Sequence, residues 1–327
     1  MKIGIISLGG RSSRALAEAC KIYFNEVDEL DIRLFEVHLT EDEKVITYKG
    51  EKLGEYDCLC IRGSHKYALI QQAIAKTFRK KAYMPIAPKA FTIGHDKFLT
   101  LLELQKEKIS VPKTYYAPNK TMAKNILSKV EFPIIIKVQE GTHGKGVMIA
   151  ESKKSAIAIL DALESLDRPY IIQEFVETEE TSDIRAIVCG KKIIASYKRI
   201  ANKEDFRSNI HSGGTREPHT LTKEQEKLAI KSAKTIEAEI CGVDILNSDP
   251  PSVIEINLSP SMEGIAGVSG INVVNEVARK LSRKTRKFQE KKEEKIKHKI
   301  KKKEGKKNGK KETHKKHKGN RGEEEEE

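Results

Sequence analysis

The 327-residue sequence has no tryptophan, no paired cysteines and no long apolar run. A membrane-spanning helix needs roughly 18 consecutive apolar residues, and no run in the chain approaches that length, so we expect no membrane association. The first residues lead directly into a strand pattern, which is not how a secretory signal begins. The five cysteines are scattered without a CxxC pair, which argues against a zinc or disulfide framework and favours the reducing cytosol. We therefore expect a cytoplasmic protein.

Positive charge is concentrated near the C-terminal end of the sequence. Of a net charge of +13, residues 283–327 carry 20 Lys or Arg and 10 Asp or Glu, a net of +10, which leaves +3 for residues 1–282. The segment has almost no apolar residue after Ile300 and finishes with five glutamates. Such a composition buries too little surface to offset the entropy of ordering, so we expect a disordered tail, helical as far as Ile300. A solubilising role and docking to RNA or ribosomes through phosphate contacts are both open.

Three oxygen-bearing side chains occur on two short strand patterns near residue 250. Asp244 interrupts an apolar strand, and Glu255 and Asn257 lie two residues apart on the next one, beyond a turn rich in Pro, Asn and Asp. Residues two apart on a strand project to the same face, and pairing across the turn would bring Asp244 to the same space. Carboxylate and amide oxygens suit a hard cation such as Mg²⁺. The alternative is a hairpin whose acidic residues are merely solvated.

The first part of the sequence alternates between strand and helix patterns, which predicts a small α/β domain with a largely parallel sheet. Ser7 to Gly10 follow the first strand but lack the full GxGxxG pattern, so a tight turn is favoured over a dinucleotide site. We predict strands over 2–7, 31–38, 45–48 and 57–61 and helices over 12–26 and 67–78. Further on, we predict helices over 96–106, 122–129, 154–166 and 223–240 and strands over 113–116, 133–138 and 170–176.

A lysine on an apolar strand precedes a glycine-rich stretch. Lys137 stands in the run Pro-Ile-Ile-Ile-Lys-Val, and residues 141–147 contain three glycines. Glycine lets the backbone approach a ligand and close over it, and a buried lysine needs an anion, so we expect a phosphate cover here. Glu174 ends a later strand, where it could read an adenine edge.

More charged residues follow at strand spacing. Asp183 and Arg185 stand two apart, Lys198 and Arg199 add further charges, and Arg207 and Arg216 belong to a polar, glycine-containing loop. Arginine presents a fork that matches phosphate oxygens. Any one of these residues could be a surface ion pair worth less than about 1 kcal/mol, but their succession before the oxygen-ligand triad favours a site.

These motifs resemble, in family order, the RimK-type branch of the ATP-grasp ligases. They read HDKFLTLLELQKEKISVPKTY, FPIIIKVQEGTHGKGV, IIQEFVE, DIRAIV, KEDFRSNIHSGG, CGVDIL and VIEINLSPSMEGI, between about residues 92 and 280. The resemblance implies an α/β fold: a pre-ATP-grasp α/β domain over 1–91, a two-lobed α+β ATP-grasp domain over 92–282, and the Lys-rich tail over 283–327. His143 and Phe175 depart from common family residues, and residues 1–90, which help to shape the acceptor site in the family, match less closely.

The resemblance also implies roles for individual residues. Lys97 and Lys137 would contact the nucleotide phosphates, Glu174 and Phe175 would form the adenine hinge, and Asp183 would contact the nucleotide. The remaining members of the implied site are Arg207, Ser208 and Asn209, which would bind phosphate and steady the acyl group, and Asp244, Glu255 and Asn257, which would hold two Mg²⁺ (or Mn²⁺) ions. Lys137 and Arg207 would also act in catalysis.

The activity that the resemblance implies is the ATP-dependent addition of L-glutamate to an acceptor carboxylate through an acyl phosphate. The acceptor is left open between a protein C-terminus, as in members that modify a ribosomal protein, and a small coenzyme or metabolite carboxylate; the basic tail, able to contact ribosomal RNA, favours the first. A non-catalytic protein that binds RNA or ribosomes on an ATP-grasp core is the alternative from another class. Family members often form dimers or tetramers, so a homo-oligomer is also expected.

Overall fold

The computed structural model describes residues 1–41, 43–138, 146–166, 169–178, 181–201, 214–262, 265 and 270–318. The chain divides into two compact units, Met1–Ser282 and Arg283–Glu327, and the predicted boundary between residues 91 and 92 falls inside the first. Within the described residues, no helix is both long and apolar enough to cross a bilayer.

A parallel sheet of three strands forms the centre of the N-terminal part. The strands β1 (Lys2–Ser7), β2 (Glu26–Asp31) and β6 (Cys58–Ile61) lie in the order β2-β1-β6. The helix α1 (Arg11–Cys20) connects β1 to β2. The predicted parallel sheet is therefore present, but the predicted helix over 12–26 is too long, because β2 begins at Glu26.

A second, antiparallel sheet adds to this part; the predicted strands over 31–38 and 45–48 overlap two of its strands, but their separation from the parallel sheet was not predicted. It contains β3 (Phe35–Leu39), β4 (Lys44–Tyr48) and β5 (Glu51–Lys52) in chain order. Three helices follow: α2 (Ala68–Phe78), α3 (Pro88–Ile93) and α4 (Lys97–Lys106). Asp96 caps α4 by accepting a hydrogen bond from the backbone N–H of Leu99, so the predicted helix over 96–106 is confirmed to within one residue.

A four-stranded antiparallel sheet follows in the chain. Its strands are β7 (Thr114–Ala117), β8 (Ile134–Val138), β9 (Val147–Ala150) and β10 (Tyr170–Glu174), in the order β7-β10-β8-β9. The helices α5 (Lys120–Ile126) and α6 (Lys153–Leu163) contribute to an apolar core with these strands, in which Ile134, Ile136, Leu160 and Ile172 are fully buried. This small core holds β8, and with it Lys137, in place.

A five-stranded antiparallel sheet is the largest in the described part of the chain. Its strands are β11 (Ser182–Cys189), β12 (Lys192–Ile200), β13 (Thr215–Pro218), β14 (Ile240–Leu246) and β15 (Ser252–Asn257), in the order β13-β12-β11-β14-β15. Helix α7 (Lys223–Thr235) packs on it. One face is apolar and joins the main core through Ile184, Val243 and Ile245, beside Ala229 and Ala233 of α7. The opposite face is polar.

The last described element is the helix α8 (Val273–Lys318). It extends past Ile300, where we expected helical structure to end within a disordered tail. Lysine and glutamate have high helix propensity, so the backbone can continue as helix although residues 290–298 are all exposed and contribute no apolar face. Residues 319–327 lie outside the described residues.

Candidate active site

The polar face of the five-stranded sheet brings the predicted metal ligands together. In the β14–β15 ladder, Asp244 lies directly opposite Glu255 and Gly242 lies opposite Asn257. On the other side of β14, Arg185 of β11 is opposite Asp244. Residues directly opposite on adjacent antiparallel strands project to the same face. The prediction that Asp244, Glu255 and Asn257 face one space is therefore confirmed by the strand register.

A bulge in β15 makes this placement compatible with the core. Asp244 pairs with Glu255 but Ile245 pairs with Val253, so the ladder contains one extra residue at this point. A bulge changes which residues of a strand share a face. As a result Val253 and Ile256, three residues apart, are both buried in the core, while Glu255 lies on the polar face.

Asp244 is held by two arginines, Arg185 and Arg199, for which the sequence indicated a site but no partner. Its Oδ1 accepts a hydrogen bond from Arg185 Nε at 2.6 Å, and its Oδ2 accepts from one terminal nitrogen of Arg185 at 2.5 Å and one of Arg199 at 2.7 Å. Asp244 is only 2% exposed. Burial by itself raises the pKa of this carboxyl group, but the two guanidinium charges outweigh it and lower the pKa to about 2.

Asp183 belongs to the same buried network. Arg199 donates through Nε and a terminal nitrogen to the two carboxylate oxygens of Asp183, directly across the β11–β12 ladder. Arg199 therefore joins Asp183, the predicted nucleotide contact, to Asp244, the predicted metal ligand. In the sequence, only the spacing of these charged residues indicated the network. Which of them pair depends on strand register, which cannot be read from the sequence.

The predicted ligands retain oxygen lone pairs that could hold Mg²⁺. A carboxylate offers about four acceptor positions, and the three hydrogen bonds to Asp244 leave Oδ1 with one unused. Glu255 is exposed, and Asn257 Oδ1 accepts a single hydrogen bond, from the backbone N–H of Ser259 at 2.9 Å. Within the described residues, no group of three His, Cys, Asp or Glu side chains could hold a metal, so the fit depends on two carboxylates and one amide. Such a hard, all-oxygen set fits Mg²⁺.

The charges of Glu255 and Lys97 both act on Lys137. Desolvation lowers the pKa of Lys137 to about 8; the charge of Glu255 acts in the opposite direction and the charge of Lys97 adds to the decrease. Lys97 is the first residue of α4, a helix that packs against β15. Lys137 of β8 is thus within electrostatic range both of Lys97 of α4 and of Glu255 on the polar face.

Gln173 holds the Lys137 ammonium group and was not predicted as part of the site. Lys137 Nζ donates to Gln173 Oε1 at 2.6 Å, and Gln173 Nε2 donates to Thr114 Oγ1 at 2.8 Å. The Thr114 hydroxyl in turn donates to the carbonyl oxygen of Pro112 at 2.7 Å. Gln173 is 3% exposed, and its hydrogen bonds fix which way the amide points. In the sequence, Gln173 could have been recognised as a polar residue that ends the otherwise apolar run Tyr-Ile-Ile-Gln.

The predicted hinge residues lie where β10 ends. Glu174 forms an ion pair with Lys113 at 2.8 Å, and its backbone N–H donates to the carbonyl oxygen of Lys113 at 3.0 Å. The backbone N–H of Phe175 donates to the carbonyl oxygen of Pro133 at 3.2 Å. The carboxylate of Glu174 is thus engaged at the strand end, and its contact with adenine stays a prediction.

Several predicted residues lie outside the described residues. They are Arg207, Ser208 and Asn209, and most of the glycine-rich segment 141–147, of which the structure describes only residues 146 and 147. Their roles in phosphate binding, and the loop's role in excluding water, stay predictions.

Comparisons with known proteins agree with this architecture. Residues 94–281 match the family model of the RimK-like ATP-grasp domain. A relative from Thioalkalivibrio sulfidiphilus, named probable alpha-L-glutamate ligase, is 34% identical over 282 residues, which cover 85% of this chain and 94% of the relative. A relative of the same name from Maridesulfovibrio salexigens is 36% identical with the same coverage.

Solved structures show the same fold at lower sequence identity. A RimK domain ATP-grasp protein from Sphaerobacter thermophilus matches with a TM-score of 0.67 at 17% identity, covering 85% of this chain and 98% of that one. The ATP-grasp ligase PsnB, solved with a minimal precursor, Mg and ADP, matches with a TM-score of 0.66 at 15% identity, covering 87% and 98%. D-alanine–D-alanine ligase from Bacillus anthracis matches with a TM-score of 0.61 at 17% identity, covering 88% and 99%. The predicted fold class is confirmed.

Proposed function

The chain belongs to the RimK-like ATP-grasp family, and from that premise we propose that it adds L-glutamate to the C-terminal carboxylate of an acceptor protein. The coarser activity follows from membership: the chain is an ATP-grasp ligase that joins a carboxylate to an amine at the expense of ATP. What we propose is the identity of the amine, the class of acceptor and the roles of the site residues.

One observation carries the proposal at the level of chemistry. Lys137, from the four-stranded sheet, lies within electrostatic range of Glu255, from the five-stranded sheet, with Lys97 nearby. Cationic groups that face acidic metal ligands are the arrangement that phosphoryl transfer needs, because charge on the transferred group must be neutralised from several directions. We assign Lys97 and Lys137 to the nucleotide phosphates on this basis.

The reaction begins when an acceptor carboxylate oxygen attacks the γ-phosphorus of ATP; the bond to the β-phosphate oxygen breaks, and an acyl phosphate and ADP are formed. The amine of glutamate then attacks the acyl carbon, phosphate leaves and the nitrogen loses a proton. We assign Asp244, Glu255 and Asn257 to hold two Mg²⁺ (or Mn²⁺) ions, whose charge would offset that of the transferred phosphoryl group. Arg185 and Arg199 keep Asp244 ionised and oriented, and we assign Asp183 to the nucleotide.

Three of the proposed roles belong to residues that the structure does not describe. Arg207 would supply positive charge to the reacting phosphate and acyl group, with Ser208 and Asn209 beside it.

We assign Glu174 and Phe175 to the adenine hinge. The domain division at residues 1–91, 92–282 and 283–327 is part of the same proposal, and the family match, which begins at residue 94, supports its first boundary.

The choice of glutamate and of a protein acceptor has separate support. The curated relatives are named alpha-L-glutamate ligases, and PsnB, of similar fold, was solved with a precursor peptide. The tail carries a net charge of +10, which would attract an acceptor bound to ribosomal RNA. A small coenzyme or metabolite carboxylate would not need such a tail.

The proposal is tested with labelled L-glutamate, ATP, Mg²⁺ and purified enzyme in a translation-blocked extract of the source organism. The products are divided into acid-precipitable and acid-soluble fractions, and a Glu255→Ala enzyme serves as the blank, because loss of this carboxylate should abolish ADP formation. We expect enzyme-dependent label in the precipitate, on a protein whose C-terminal peptide gains the mass of a glutamyl residue.

Three other results would redirect the assignment. Label in a new acid-soluble product would show a small acceptor. Retention of near wild-type turnover by Glu255→Ala would contradict the assignment of the metal ligands. RNA binding without glutamate-dependent ADP release would favour a non-catalytic RNA-binding protein instead.

A further inference from the structure

Arg216 on the edge strand β13 has an environment that the assigned chemistry does not use. It lies directly opposite Arg199 in the β12–β13 ladder, on the same face as Asp183 and Asp244. Its guanidinium carbon is 5.5 Å from the ring centroid of Tyr197, a residue only 2% exposed. Stacking on an aromatic ring favours a guanidinium group in a fixed plane.

The charge of Arg216 is not balanced within the described residues. Asp183 and Asp244 are matched by Arg185 and Arg199, so these four charges cancel. Arg216 adds one positive charge beside them, and its Nε is buried without a hydrogen-bond acceptor among the residues that the structure describes. Like charges directly opposite each other across a ladder are destabilising, and a buried donor without a partner costs stability. Both costs would be relieved by an anion at this position.

The position of β13 indicates that this anion is not the nucleotide phosphate that we assign to Lys137. Lys137 acts on Glu255 of β15, at the opposite edge of the sheet, and β13 is separated from β15 by four strand spacings, or about 19 Å. Asp244 of β14 is three spacings from β13, about 14 Å. The long side chain of Arg216, whose guanidinium group lies over the ring of Tyr197 of β12, shortens that gap to a length that a small amino acid can span, with its amine on the β14 side and an acidic group toward Arg216.

We propose that Arg216 binds the side-chain carboxylate of the incoming L-glutamate, as the anion subsite that selects an acidic amino acid. This inference rests on the proposed function. The planar fork of arginine matches a carboxylate with two parallel hydrogen bonds, and Tyr197 holds the plane of the fork. A site that is built around a charged donor discriminates against an uncharged isostere, because the donor is left unpaired when that isostere binds.

The test is direct binding, so it needs no acceptor. Labelled L-glutamate and L-glutamine are measured by equilibrium dialysis against the full-length enzyme loaded with Mg²⁺ and a non-hydrolysable ATP analogue. We expect glutamate to bind more tightly than glutamine. Arg216→Met should weaken glutamate binding about tenfold to a hundredfold and leave glutamine binding nearly unchanged. Arg216→Lys keeps the charge but loses the fork, so its affinity for glutamate should lie between those of the wild type and of Arg216→Met. It also serves as a control for misfolding of the Met variant.

A matched control removes a positive charge from the same sheet without touching Arg216. Lys192 is exposed at the far end of β12, and Lys192→Met should bind glutamate as the wild type does. Equal losses for glutamate and glutamine in Arg216→Met, or a weakened affinity for the ATP analogue, would overturn the assignment to the side-chain carboxylate. Failure of the wild type to bind glutamate would refute the proposed function itself, and retained binding in both Arg216 variants would refute only this inference.

Discussion

At the scale of single residues, the amine of Lys137 donates its hydrogen bond to a neutral amide, that of Gln173, rather than to a carboxylate. Gln173 accepts from the ammonium group and donates to Thr114, and both hydrogen bonds are short. A neutral amide fixes the position of the amine and leaves its charge available for a phosphate. A carboxylate at the same place would neutralise that charge.

We predict that Gln173→Glu weakens ATP binding about tenfold, because the new carboxylate competes with phosphate for Lys137. Gln173→Met, which removes the acceptor without adding charge, should have a smaller effect. Thr114→Val is the matched control, since it keeps Gln173 and removes only the hydroxyl behind it. Nucleotide affinity is measured by calorimetry on the full chain with Mg²⁺ present.

The pH dependence separates this role from a merely structural one. The pKa of Lys137 is lowered to about 8, so its ammonium form is lost as pH rises through 8, and ATP affinity should fall over the same range. A carboxylate at position 173 raises the pKa of Lys137, so in Gln173→Glu the fall should occur at higher pH. An unchanged midpoint in Gln173→Glu would show that Lys137 does not control the affinity.

From the sequence it was easier to predict which side chains share the polar face than to predict which residues hold them in place. Asp244, Glu255 and Asn257 could be recognised because acidic and amide side chains stood out on apolar strands at period two. The hydrogen bonds of Arg185, Arg199 and Gln173 join residues 16 to 59 positions apart. Strand register decides which of these side chains meet, and register cannot be read from the sequence. The charges of Arg185 and Arg199 were therefore visible in the sequence, but their partners were not, and nothing singled out Gln173.

At the scale of elements, helix α7 packs on the five-stranded sheet and forms a hydrogen bond with the turn that follows β14. Thr222 accepts from the backbone N–H of Gln225 at 3.2 Å, and Gln225 Oε1 accepts from the backbone N–H of Thr222 at 3.0 Å, which forms a capping box. Gln225 Nε2 also donates to Asn247 Oδ1 at 2.9 Å. The cap therefore fixes the helix and the β14–β15 connection together.

We predict that Thr222→Ala lowers the free energy of unfolding by about 1 kcal/mol, the usual cost of losing an N-cap side chain. Thr222→Ser retains the hydroxyl and should stay close to wild type. Urea unfolding followed by circular dichroism measures the difference. Activity at 25 °C should be unchanged in both variants, because the cap lies behind the sheet and not on its polar face; a large loss of activity with intact stability would contradict this reading.

The bounds of strands and helices were predicted well where the spacing of apolar residues and the residues at the ends of the element indicated the same limits. The strand over 2–7 and the helix ending at Phe78 were placed to within one residue. The strand β2 was missed because its sequence, EVDELD, is mostly acidic, and it becomes a strand by pairing along the edge of β1. The helix predicted over 223–240 ends at Thr235 instead, where Glu237 has a φ of 58° and turns the chain into β14.

At the scale of the whole molecule, the basic C-terminal segment is chemically unlike the rest of the chain. Residues 291–298 of α8 are exposed, whereas Leu281 and Thr285, earlier in the same helix, are fully buried. A helix without a buried face is not held by packing. Residues 291–298 of α8 should therefore contribute charge to the molecule rather than stability.

We predict that truncation after Glu290 leaves the melting temperature and ATP affinity unchanged but abolishes binding to ribosomal RNA. Residues 291–327 contain 16 Lys or Arg, and with about six phosphate contacts the affinity of the full chain should fall about a thousandfold between about 50 and 200 mM salt. Removing only residues 323–327 should strengthen RNA binding, since it deletes five negative charges. A scrambled tail of the same composition should bind like the natural one, because phosphate contacts carry no sequence information. Filter binding across a salt series measures the affinity for ribosomal RNA. Equal affinity of the truncated and full chains would show that the tail does not bind RNA. The tail would then no longer support a ribosomal acceptor.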